Sequence, residues 1–142
     1  MVLIFEIFIL ILALSLSYTF SGAETAIASL NYKGGLDKYL ENKKTKKIIL
    51  IWTKEPWRIL NSIVIWNNIC AIMISLICVN IATSISTNIE IPSNILVFWF
   101  TLVAIVSNFT LGDMIPKITA RNNPHKFFIK IVGIILFFEK II

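Results

Sequence analysis

The chain has 142 residues, 57% of them hydrophobic and 15% charged, with a mean hydropathy of +0.83. That is too apolar for a soluble domain of this length and fits one compact domain in a lipid bilayer. The net charge of +5 rests on thirteen Lys and Arg residues, and their grouping is explained by membrane orientation and anionic headgroups, without a nucleic-acid partner.

Val2 to Phe20 is almost unbroken hydrophobe, long enough to cross a hydrocarbon core of ~30 Å. A secretory signal peptide would need a basic leading region. Here no Lys or Arg precedes Lys33, and Glu6 stands where the positive charge should be. Good helix formers in Ala23–Leu30 carry the first span, about 2–30, onward, with Gly22 as a kink or close-packing point. Gly34-Gly35 breaks it. Leu36, Tyr39 and Leu40 at helical spacing, followed by Lys43, Lys44, Lys46 and Lys47, predict an amphipathic juxtamembrane helix over about 36–52.

Glu55-Pro56-Trp57 turns the chain into a second span, about 59–84, whose apolar course carries Asn61, Asn67, Asn68 and Asn80. Cys70 and Cys78 lie eight residues apart on it, ~12 Å of rise, too far to bridge each other. They read as free thiols acting as small hydrophobes. A third span, about 93–115, opens after Pro92 and carries Asn108, Gly112 and Asp113 in its lower part. Pro116 ends or kinks it. Asn122-Asn123-Pro124 starts a last helix, 124–142. There Lys126, Lys130 and Lys140 alternate with Phe127, Phe128 and Ile131, which favours a surface-bound helix over a fourth span. The predicted class is an all-α membrane protein of three transmembrane helices plus juxtamembrane amphipathic helices.

Lys33–Arg58 holds eight of the basic residues and Lys117–Lys140 the other five; the N-terminal end and the Ser84–Asn94 loop hold none. Positive residues stay cytoplasmic. The expected topology is a multi-pass protein of the plasma (bacterial inner) membrane, N-terminus outside and C-terminus in the cytoplasm.

Three polar clusters then fall at similar depth, in the inner half of the spans: Ser21, Glu24 and Thr25; Asn67 and Asn68; Gly112 and Asp113. Ser21, Glu24 and Thr25 share one helix face, and polar faces in membranes look toward protein or water. All are hard oxygen donors, which suit Mg²⁺, Ca²⁺ or Na⁺ rather than zinc or copper. A structural reading stands beside this. Ser, Thr and Asn also hydrogen-bond helices together, which is the preferred role for Asn61, Asn80 and Asn108. For Ser21, Asn67 and Asn68 both readings stay open. An ionised carboxylate in a span costs ~2.5–3.5 kcal/mol and marks a functional site, unless Glu24 and Asp113 lie at headgroup level paired with Lys33 or Lys117. Glu6 and His125 receive no role. The chain carries no phosphate-binding G-x-x-x-x-G-K-[ST] loop, no H-E-x-x-H and no G-x-S-x-G, so it is not expected to be an enzyme.

Three stretches carry a family resemblance. Phe20-Ser21-Gly22-Ala23-Glu24-Thr25-Ala26 resembles the F-S-G-x-E-T-A signature of the CorC/cyclin M (CNNM) transmembrane domain. The stretch from Pro56-Trp57-Arg58 to Trp66-Asn67-Asn68 resembles its P-x-x-L-L-x-T-I-L-I-G-N-N, and Leu111-Gly112-Asp113 through Pro116-Lys117 to Asn123-Pro124 its F-G-E-x-x-P-K-x-x-A-x-x-N-P. The resemblance covers nearly the whole chain and implies a homodimer that exports or balances Mg²⁺, driven by Na⁺ influx. It assigns the metal to Ser21, Thr25, Asn67, Asn68, Gly112 and Asp113, with Gly22, Glu24, Pro116 and Lys117 in support. Asp113 stands where the family usually has Glu, Trp66 where it has Gly, and Ala23 where many members have Ser. The family continues into cytoplasmic CBS domains, whereas this sequence stops at Ile142. It is therefore expected to be a fragment, a split product with a separately encoded CBS-domain partner, or a minimal version. The alternative is a non-transporting membrane remnant or interaction module whose polar residues only pack helices.

Overall fold

Helix α1 (Val2–Tyr32) is a single helix of 31 residues, ~46 Å long at 1.5 Å per residue. Its two halves meet different surroundings. Val2, Ile4, Phe5, Phe8 and Ile11 are exposed, as a lipid-facing segment requires. From Ala13 onward a stripe including Ser17, Phe20, Ser21, Ala26 and Leu30 is buried. The small residues Ala13, Ser17 and Ser21, spaced by four, let neighbouring helices come close along one face. The computed structural model describes residues 2–32, 42–89 and 91–141, without the side chains of Asn31 and Tyr32.

Helix α2 (Lys43–Lys54) is capped by Asn42, whose side-chain oxygen accepts from the Lys44 backbone N–H at 3.0 Å. It buries Thr45, Ile48 and Ile49 and turns its lysines outward, so the predicted amphipathic character holds. Its end lies two residues beyond the predicted 52, and predicted residues 36–41 fall outside the described set. Helix α3 (Pro56–Ser86) follows after Glu55, with Pro56 in the first turn, where a missing N–H costs nothing.

The third span differs from the sequence expectation. It does not stop at residue 115: α4 (Ser93–Ser107), a π-helical segment (Asn108–Met114) and α5 (Ile115–Asn122) run on as one element. The physical reason is the wider turn. The Ile115 N–H reaches back five residues to the Thr110 carbonyl, and Pro116 falls in the first turn of α5, where it does not interrupt the ladder. Three helices, Val2–Leu30, Pro56–Ser86 and Ser93–Asn122, are long and apolar enough to cross a membrane, and the described residues contain no strand. The chain is an all-α membrane protein.

Helix α6 (Pro124–Glu139) is too short to span and lies against the other helices, burying Phe127, Phe128, Ile131, Val132 and Ile135. Phe127 packs beside Tyr18, centroids 5.9 Å apart, and over Gly22. Phe138 sits between Phe20 and Trp66, 5.1 and 4.7 Å away, and its carbonyl accepts from the Trp66 indole N–H at 3.3 Å. Arg58 closes the belt on buried Glu139 at 2.8 Å. The apolar core falls into two clusters. A large one contains Phe20, Ile27, Ile59, Ile63, Cys70 and Phe128, and a smaller one Ala13, Ile74, Cys78 and Ala104. The two cysteines are free and belong to different clusters.

Candidate cation site

Between those two clusters α1 places two hydroxyls a turn apart. The Ser17 hydroxyl donates to Asn67 Oδ1 of α3 at 2.9 Å and also lies 3.2 Å from Asn108 Oδ1 of the π-helical segment. One turn further, the Ser21 hydroxyl donates to Asp113 Oδ1 at 2.6 Å and lies 3.3 Å from the Asp113 carbonyl. Ser17 and Ser21 are both almost fully buried, so neither exchanges its partners for water at no cost.

The π-helical turn is what brings the third span in. By widening the helix it carries Asn108, Gly112 and Asp113 onto the α1-facing side, where a regular helix would rotate part of that set away. Gly112 makes the approach feasible. A Cβ there would lie 2.6 Å from Asn108 Oδ1 and 2.8 Å from Ser17 Oγ. Any side chain would fill the space between the two oxygens.

Each of the two hydroxyls faces two acceptor oxygens. Ser17 has one hydroxyl proton between two amide oxygens, and Ser21 one between a carboxylate oxygen and a backbone carbonyl. The contacts involve six oxygens, from hydroxyl, amide, carboxylate and backbone carbonyl groups, the donor types that hard cations take. Among the described residues the positive charge paired with this carboxylate is Lys117, whose Nζ lies 2.8 Å from Asp113 Oδ1, one turn along the same helix. Asp113 and Lys117 side chains are 32% and 42% exposed, so the cluster opens along that side. Among the described residues no three His, Cys, Asp or Glu side chains come together. The donor types gathered here are oxygens, the kind that suits hard cations rather than zinc or copper.

A family model described as the cyclin M transmembrane N-terminal domain matches residues 8–142. The chain belongs to the cyclin M (CNNM) family. Membership points to a role in membrane ion transport or homeostasis. A search of curated proteins gave no match.

Of the residues singled out in the sequence, this cyclin M domain pairs Ser21 with Asp113 and sets Asn67 and Gly112 against Ser17, one turn away. Thr25 lies one turn beyond Ser21, half-buried, and Asn68 is exposed beside Asn67; no hydrogen bond links either to the cluster. Glu24 is half-buried. The supporting residues behave differently. Gly22 admits the Phe127 ring, Pro116 is buried at the start of α5, and Lys117 pairs with Asp113. Two further members are not among the candidates the sequence marks. Ser17 was passed over as a small hydroxyl in an apolar run, although it stands four residues before Ser21 on the same face. Asn108 reads from the sequence as a helix-packing residue, because Asn commonly hydrogen-bonds helices together; five residues from Asp113, it shares a face with it through the π-helical turn.

Proposed function

We propose that this domain binds and moves a divalent cation, Mg²⁺ as substrate, across the plasma membrane in exchange for Na⁺, working as a homodimer with its basic end in the cytoplasm. The observation that carries the proposal is a pair of oxygen-rich contacts one turn apart on α1, Ser17 with Asn67 and Asn108 beside Gly112, and Ser21 with Asp113. Mg²⁺ wants near-octahedral oxygen ligation at ~2.0–2.1 Å, and hydroxyl, amide, carboxylate and freed carbonyl oxygens are the donor types at hand. Thr25 and Asn68 are assigned by family resemblance and would join the ion in a second conformation of the site or across the dimer. A CBS-domain partner, encoded separately or in continuation of the chain, would supply regulation.

A second reading has its own observation. Each hydroxyl in the cluster already bonds a protein oxygen, and Asp113 is already paired with Lys117, as in a site whose only task is to hold helices together. Mg²⁺ flux in proteoliposomes separates the two. Transport is expected above the empty-liposome rate, and lost in Asp113→Asn. Flux at the empty-liposome rate from well-folded protein overturns the transport proposal and favours the packing role.

A further inference from the structure

Four lysines converge on one groove at the basic end of the domain, and none of the cation-site residues lines it. Lys43, Lys44 and Lys47 come from α2 and Lys140 from the residue after α6, and the groove between them, about 380 Å³, has an apolar floor of Gly133, Leu136 and Phe137. The lysines are all exposed, and among the described residues no carboxylate lines the groove. The ion pairs among the described residues involve Arg58 and Lys117, none of these four. Repulsion among four like charges is tolerable only because the side chains are hydrated, and it creates a strongly positive local field.

The floor distinguishes this groove from a solvated charged face. Gly133 leaves open space where a Cβ would stand, with no atom within 4 Å, and Phe137 beside it is 62% exposed. Ile129, Ile134 and Ile141 continue the exposed apolar surface of α6 and its C-terminal extension. A ligand that satisfies both parts has an anionic head for the lysines and an apolar tail for the floor. Both helices adjoin the same ends of the spans, α2 leading into α3 and α6 leaving α5, so the groove lies at the membrane–water boundary, where such a molecule is abundant.

We infer that the groove between α2 and α6 is a binding site for an anionic phospholipid, the headgroup phosphate held by Lys43, Lys44, Lys47 and Lys140 and an acyl chain lying over Gly133 and Phe137. The lipid bridges α2 to α6 and thereby stiffens the belt around α1. Polybasic segments gain ~1 kcal/mol per Lys at an anionic surface, and here the lysines surround one shaped groove.

The test is native mass spectrometry of the detergent-solubilised full chain, offered phosphatidylglycerol and phosphatidylcholine in equal amounts. Wild type is expected to retain phosphatidylglycerol selectively. The variant Lys43→Gln/Lys44→Gln/Lys47→Gln/Lys140→Gln should retain at least about tenfold less. Lys46→Gln/Lys54→Gln/Lys126→Gln/Lys130→Gln removes the same charge elsewhere and should retain it. Gly133→Phe keeps every charge and fills the floor, so it should also lose the lipid; α6 is expected to keep its packing, because the added atoms have room. Equal loss in both lysine variants, or full retention in Gly133→Phe, would mean general charge attraction and overturn the site. So would displacement of the lipid by millimolar inorganic phosphate, which would mark a pocket for soluble anions.

Discussion

Lys117 Nζ and the Ser21 hydroxyl meet at one oxygen, Asp113 Oδ1, at 2.8 and 2.6 Å. An ammonium is a tethered cation, and here it occupies part of the coordination space that a bound ion would need. On the transport proposal, an incoming dication would have to move it aside. Because Lys117 is on the same helix as Asp113 and partly exposed, it can swing to solvent without disturbing the fold. The expected consequence is competition. Lys117→Met should tighten Mg²⁺ protection of the purified protein against heat by about two- to fivefold, the value of removing an ion pair worth ~0.5–1 kcal/mol. Asp113→Asn should abolish it. Weaker protection in Lys117→Met would show that the lysine orients the carboxylate instead of competing for it.

The two roles of the polar cluster, packing and ligation, separate at Ser17. As helix glue, its hydrogen bonds contribute ~0.6 kcal/mol on average in membranes. Ser17→Ala should therefore lower the thermal midpoint only slightly without ion. As a ligand, its loss removes one of few donors, and the stabilisation by Mg²⁺, RT ln(1 + [L]/Kd), should shrink at every concentration. Thermal unfolding of wild type and variant over a Mg²⁺ titration reads both quantities. Parallel curves, offset by the same amount at all Mg²⁺ concentrations, would assign Ser17 to packing alone.

Much of this architecture is legible in the sequence because membranes constrain it severely. Length and hydropathy mark Val2–Leu30 and Pro56–Ser86, and the lysines of α2 mark the surface helix. The register of the third span was not legible. Pro116 normally signals a stop, and nothing in Asn108–Met114 announces a π-helical turn, which depends on tertiary contacts at Gly112. The site was partly hidden for the same reason. Ser21, Asn67 and Asp113 drew notice by type and depth, while Ser17 and Asn108 join them only through the interhelical geometry. The Arg58–Glu139 tie joins residues 81 positions apart, beyond any local pattern.

Gly112 and Gly22 are both places where a Cβ would collide, with opposite functional consequences. At Gly22 it would lie 2.1 Å from the Phe127 ring, which is itself buried. Gly22→Ala gains ~1 kcal/mol of helix propensity but must push α6 off α1, an overpacking cost of ~1–3 kcal/mol. A net loss of stability is expected, largely restored by adding Phe127→Ala. At Gly112 the added methyl strikes Asn108 and Ser17, so Gly112→Ala should suppress Mg²⁺ protection even where the protein remains folded. A Gly112→Ala variant with wild-type Mg²⁺ response would place the ion elsewhere.

Glu139 is a carboxylate buried to 95% on the inner side of α6, with Arg58 at the start of α3 as its counter-charge at 2.8 Å. Arg58 also reaches Glu55 at 3.6 Å, but that pair is half exposed and contributes little. Removing the guanidinium leaves Glu139 buried without compensation, a cost of ~1–3 kcal/mol or more for a charged group. Replacing both partners by apolar residues of similar size removes the charge together with its desolvation, and such exchanges are often neutral. Arg58→Met should therefore lower the thermal midpoint clearly, while Arg58→Met/Glu139→Leu recovers most of the loss. Failure of the double variant to recover would mean that the pair specifies how α6 docks on α3, beyond balancing a charge. Freed α6 should then become a site of limited proteolysis near Phe137 and Phe138, because the Phe138 wedge between Phe20 and Trp66 depends on the same end of the helix being held.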